Sequence, residues 1–100
     1  MAVLAIFTGD GFTKDMYDQL IKELNLKENN PDGGVFHVSS FDEQGNIHVA
    51  DVWESSETMN AFVENKLVPL MQKNGVPVPK VEVFPAHNVL AYKTVEKYIV

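Results

Sequence analysis

Two of the chain's three histidines, two aspartates and its only tryptophan fall within Gly33 to Ser55, which reads GGVFHVSSFDEQGNIHVADVWES. An imidazole beside a carboxylate is the pairing that general-base chemistry needs. The carboxylate orients the ring and favours its taking a proton from a phenol or an enolisable ketone. Whether His37 and Asp51 can meet is a question of strand register. Val, Ile and Phe alternate with polar residues on both sides of Asp42-Glu43-Gln44-Gly45, the pattern of two antiparallel strands and a short loop. With Gly45 in the left-handed position of a three-residue loop with a bulge, Asp42 faces Asn46. Counting back then puts His37 opposite Asp51 and Val35 opposite Trp53. The pair can equally satisfy its own hydrogen bonds and fix strand register without any substrate.

The other candidates are weaker. Tryptophan serves more often as a core or interface residue than as a ligand platform, and Trp53 is open to both roles. His48 has even parity in the hairpin and points away from His37, which undermines a two-histidine metal site. His87 remains on the last predicted strand. No His-x-His or His-x-x-x-His spacing occurs, so no metal site is expected.

The elements that must position the pair are legible from periodicity. Ala2 to Thr8 is apolar at nearly every position and predicts a central strand covered on both faces. Thr13 is placed as a helix N-cap, with Asp15 in the first turn and Phe12 stapling onto Tyr17. Tyr17, Leu20, Ile21 and Leu24 form the buried stripe of that helix. Asn29 to Gly34 is loop. Ser55 or Ser56 caps a second helix whose stripe is Met59, Phe62, Val63, Leu67, Leu70 and Met71, stopped at Asn74-Gly75. Pro69 inside that pattern predicts a kink near Asn65 to Pro69 and two helical arms. Lys80 to Leu90 alternates as a last strand, which Pro85 confines to a sheet edge or bulge.

The order strand, helix, strand, strand, helix, strand predicts an α+β, ferredoxin-like split βαββαβ fold with a four-stranded antiparallel sheet and both helices on one face. Residues 1–100 are expected to form a single domain, with 91–100 a C-terminal tail. The hairpin faces hold Val35, Phe41, Ile47, Val49 and Trp53 on one side, and Phe36, Val38, Ala50 and Val52 on the other. Neither suits water. Two helices cover only one, so the other is expected to meet a second copy of the chain in a homodimer.

Composition narrows the partners. A net charge of -6, with no clustered Lys/Arg face, disfavours nucleic acid and anionic membranes. The absence of cysteine removes disulfides, thiolate catalysis and cysteine metal sites. No apolar run reaches the roughly 18 residues of a membrane span. The apolar N-terminus lacks a basic region and runs into Gly9-Asp10-Gly11, so a strand is expected there rather than a signal peptide, in a soluble cytoplasmic protein.

Phe36-His37, Gly45 followed by Asp51-Val52-Trp53-Glu54-Ser55, then Phe62, Leu67 with Pro69, and Glu82-Val83-Phe84-Pro85 with His87-Asn88 span nearly the whole chain. Through them it resembles the dimeric α+β barrel superfamily, and within it the antibiotic-biosynthesis-monooxygenase-like proteins. That resemblance implies pairing of two ferredoxin-like sheets into a barrel. It also implies a pocket between helices and sheet in which cofactor-free members oxidise polycyclic phenols. Haem-degrading members carry an axial histidine on the second helix, and Met59 to Gly75 has none. No cofactor is expected. On this reading His37 and Asp51 are catalytic, while Tyr17, Trp53 and Phe62 hold an aromatic or enolisable small molecule. A non-catalytic ligand-binding or stress-associated dimer, and a lactone isomerase or dehydratase, remain the alternatives.

Overall fold

Val3–Gly9 (β1) lies in the middle of a four-stranded antiparallel sheet with Gly34–Phe41 (β2), Ile47–Trp53 (β3) and Lys80–Pro85 (β4), in the order β2-β3-β1-β4. The computed structural model describes residues 1–100. The remaining elements are α1 (Lys14–Leu24), α2 (Ser56–Phe62) and α3 (Val68–Asn74), with a 3₁₀ segment at Lys93–Tyr98. This is the ferredoxin-like α+β arrangement read from the sequence. No helix is long and apolar enough to cross a membrane.

The period-2 pattern sorts the sheet into two unlike faces. On β3, Ile47, Val49, Asp51 and Trp53 are buried beneath the helices, and on β1 so are Val3 and Ala5. Ile47 and Val49 join Phe12, Leu20, Met71 and Val76 in one core cluster, while Trp53 joins Val3, Ala5 and Met59 in another. The opposite face carries Leu4, Ile6 and Val52, half-buried, and Phe36, Val38 and Phe84, exposed. Within one protomer β1 is thus covered on one face, not on two.

Local chemistry starts and stops each element. The Thr13 hydroxyl accepts from the Met16 N–H and the Ser55 hydroxyl from the Thr58 N–H, capping two helices. Gly45, at φ 81°, closes the hairpin loop, in which Gly45 N–H donates to Asp42 O at 2.9 Å and Asp42 N–H to Asn46 O at 3.0 Å. Phe41 then pairs with Ile47 and His37 with Asp51, as the turn chemistry predicts.

Two further expectations are corrected. Trp53 stands opposite Gly34 and not Val35, because a bulge between Gly34 and Phe36 shifts the ladder and leaves Val35 exposed. At this corner a Cβ on Gly34 would meet Pro31 Cγ at 2.9 Å, so the close approach of the loop requires glycine beside the bulge. The last strand ends at Pro85 rather than Leu90, so His87 lies beyond the sheet. Pro85 occupies the edge strand, where a missing N–H is tolerated.

The second helix breaks where the sequence predicts. A π-helical turn at Val63–Leu67 overlaps the predicted kink region of Asn65 to Pro69 and divides the helix into two arms, with Pro69 in the first turn of α3. Val68 N–H donates to Val63 O, five residues back, so the ladder widens before the proline ring arrives. The widened turn also sets packing. Met59 and Met71, both buried, would lie about 120° apart on an unbroken helix at 3.6 residues per turn, whereas one inserted residue reduces the offset to about 20°.

Candidate functional site

The hairpin register places His37 on β2 beside Asp51 on β3, both on the helix-facing surface. His37 Nδ1 and Asp51 Oδ1 are 2.6 Å apart. An ionised carboxylate only accepts, so Nδ1–H is the donor and Nε2 carries the lone pair. α1 then brings Tyr17 over β2, and the phenol donates to Nε2 at 2.7 Å. The two rings are parallel to within 2°, with centroids 6.1 Å apart. At the inner end, Trp53 Nε1–H donates to Asp51 Oδ2 at 3.2 Å.

Tyr17, His37, Asp51 and Trp53 therefore form one hydrogen-bonded chain. Its burial is graded. The Asp51–Trp53 bond is buried, the His37–Asp51 bond is partly buried, and the Tyr17–His37 bond is exposed. The His37 side chain is 40% exposed and that of Asp51 12%. No buried side-chain polar atom in the protein lacks a partner. Burial pushes the Tyr17 phenol above its ordinary value of 10.0; the nearby Ser39 side chain opposes the shift, and the Asp51 and Asp18 charges add to it. Tyr17 consequently stays protonated and acts as a donor.

The five residues named from the sequence do not all meet in one place. Trp53 is 4% exposed and sits in the core, touching the chain of hydrogen bonds through its indole N–H. Phe62 reaches the group through Trp53, with ring centroids 5.4 Å apart and planes at 38°. Phe41 meets Tyr17 edge-on at 5.8 Å. Among the surface depressions, one of about 280 Å³ lies at the polar end of the sheet and another of about 320 Å³ beneath the C-terminal segment. Neither is lined by Tyr17, His37, Asp51, Trp53 or Phe62. His37 opens to solvent instead.

What sequence reasoning missed was the polar end of Tyr17. The sequence places Tyr17 beside a substrate ring, whereas its hydroxyl occupies Nε2 of His37. A signal existed: His37, Ser39 and Phe41 alternate onto one face of β2, presenting polar, polar and aromatic groups to the helix stripe that contains Tyr17.

His48 faces the other way, as its parity predicts, and makes a second pair. Its Nε2 lies 2.9 Å from Asp42 Oδ2, while Asp42 Oδ1 accepts from the Gln44 and Asn46 N–H groups. The His48 hydrogen bond, then those backbone donors, hold the Asp42 carboxyl below its ordinary value of 3.8. This pair ties the hairpin turn together. No three His, Asp or Glu side chains converge with metal-ligand geometry.

Solved structures share the whole architecture. A protein from Chloroflexus aurantiacus J-10-fl, named provisionally as an antibiotic biosynthesis monooxygenase, superposes with a TM-score of 0.64 at 18% identity over 91% of this chain and 98% of its own. NE2512, a protein of unknown function from Nitrosomonas europaea, gives 0.67 at 17% identity over 92% and 96%. SnoaB, a cofactor-independent oxygenase from Streptomyces nogalater, gives 0.61 at 10% identity over 91% and 97%. At these identities the likeness is one of fold: the chain has the architecture of the antibiotic biosynthesis monooxygenase-like structures. No protein-family model matches the sequence, and no curated protein does.

Proposed function

We propose that this chain is a homodimeric, monooxygenase-like protein that takes a proton from an aromatic or enolisable small molecule without a tightly held cofactor. The observation that carries this reading is the placement of His37. Its Nδ1–H is fixed by a carboxylate and its basic Nε2 accepts from the Tyr17 hydroxyl at the exposed end of the group. Proton removal leaves an enolate or carbanion, and Asp51 stabilises the imidazolium formed. Oxygen then reacts with the electron-rich carbon. A ring CH₂ becomes a carbonyl with one oxygen atom of O₂, and its two hydrogens leave with the other atom as water. The cofactor-independent oxygenase of the same fold supports oxygen as the second substrate.

The homodimer is supported by the sheet face opposite the helices, where Phe36, Val38 and Phe84 are all more than 40% exposed. Pairing two such faces buries them. Oxygen uptake with anthrone as the trial substrate tests the reaction. Uptake that is abolished by His37→Asn supports it; turnover of a lactone or a β-hydroxy ketone with no oxygen consumed assigns the same base to a lactone isomerase or a dehydratase. Absence of binding and turnover across a panel of phenols, enols and lactones returns His37 and Asp51 to a purely structural role, which their satisfied hydrogen bonds also allow.

A further inference from the structure

We propose that the group meeting the substrate is Tyr17, with His37 behind it, so that proton abstraction runs as a two-proton relay from a substrate hydroxyl through the phenol to the imidazole. The proposal rests on the reading of this site as a proton-abstracting one, and adds to it the order of the groups and the class of substrate. Nε2 of His37 is already engaged by the Tyr17 hydroxyl at 2.7 Å, so a direct approach by substrate would first have to break that bond. That bond uses neither lone pair of the Tyr17 oxygen; the Ser39 side chain can donate to one, and a substrate hydroxyl donates to the other. Its O–H bond breaks as a new bond forms to the Tyr17 oxygen; the original Tyr17 proton passes to Nε2 at the same time. The products are a substrate oxyanion, a neutral Tyr17 and an imidazolium paired with Asp51.

Three features of the site favour relay over direct abstraction. The phenol is held above its ordinary value by burial, so Tyr17 passes a proton on without persisting as a phenolate. Trp53 N–H occupies Asp51 Oδ2, which leaves Oδ1 to His37 and makes Trp53 a positioning residue for the ring. The exposed end of the chain of bonds is the Tyr17–His37 end. The substrate class follows: an acidic O–H, as in an enol or a phenol activated by an electron-withdrawing group, because an imidazole is a matched acceptor for these and a poor one for an alcohol.

4-Nitrophenol is a direct probe, since its phenolate absorbs in the visible and its phenol does not. At a pH where the free probe is mostly neutral, wild type should raise the phenolate fraction of bound probe by about tenfold, one pKa unit. Tyr17→Phe should lose the visible band while equilibrium dialysis still shows binding and circular dichroism shows the fold. Trp53→Phe should weaken the band without abolishing binding. A band that persists or strengthens in Tyr17→Phe would mean that His37 acts directly, which overturns the relay and leaves the proposed function standing. A band that survives His37→Asn overturns both. Wild type that binds the probe without ionising it, or does not bind it, overturns the relay.

Discussion

Replacing Asp51 separates the structural role of the hydrogen-bonded chain from its chemical one. Asp51 accepts from a buried donor, Trp53 Nε1–H at 3.2 Å, and from a partly exposed one, His37 Nδ1–H at 2.6 Å. Asp51→Ala leaves the indole N–H buried without a partner, at a cost of about 1–3 kcal/mol. Losing the second bond adds at most about 1 kcal/mol, because water can replace the carboxylate at a ring that is already exposed. Relief of carboxylate burial works in the opposite direction. The net is about 2 kcal/mol. For a domain of this size that corresponds to a melting temperature lower by about 8–16 °C.

Asp51→Asn is nearly isosteric and should cost less than about 1 kcal/mol, since its oxygen can still accept from Trp53. Its amide, however, donates to Nδ1. The ring proton must then move to Nε2, which reverses the Tyr17 bond and removes the basic nitrogen from the accessible end. Urea unfolding and calorimetry measure the first effect, and ¹⁵N NMR of the His37 ring reads the tautomer. An Asp51→Ala variant within about 0.5 kcal/mol of wild type, or an Asp51→Asn variant with an unchanged tautomer, would refute the reasoning.

Val38→Asp, on the open sheet face, should yield a folded monomer by sedimentation where wild type is a dimer at micromolar concentration; Val49→Asp, in the core, should unfold the chain by burying an unpaired charge. Pro69→Ala should keep the π turn and change stability by less than about 1 kcal/mol, because unwinding it would rotate Met71 out of the core by roughly 100°; crystallography or backbone NMR of the variant checks this. Because burial raises the Tyr17 phenol above 10.0, the folded state holds that proton longer than the unfolded chain does. The stabilisation is therefore complete below about pH 10 and lost as pH rises through the folded-state value. Alkaline unfolding midpoints should fall more steeply for wild type than for Tyr17→Phe, and parallel curves would contradict the assignment.

The reach of the sequence was set by the distance along the chain over which each feature is decided. The facing of His37 and Asp51 was legible because turn chemistry and a period of two act locally: Gly45 selects the loop, and the ladder then counts itself back to the pair. The same locality made the Thr13 and Ser55 caps readable, and the interruption near Pro69. The bulge beside Gly34 was not, because the close approach of the Pro31 loop, which requires glycine there, leaves no mark on a period-two pattern. Nor was the π turn, whose length is set by which helical face must reach the core on either side of it. Above all, the Tyr17–His37 bond joins a helix to a strand through the angle and height at which α1 docks on the sheet. No local pattern encodes that geometry; packing of Phe12, Leu20 and Met71 against Ile47 and Val49 decides it. The sequence by itself determined which residues share a face, and tertiary packing decided which of their atoms touch.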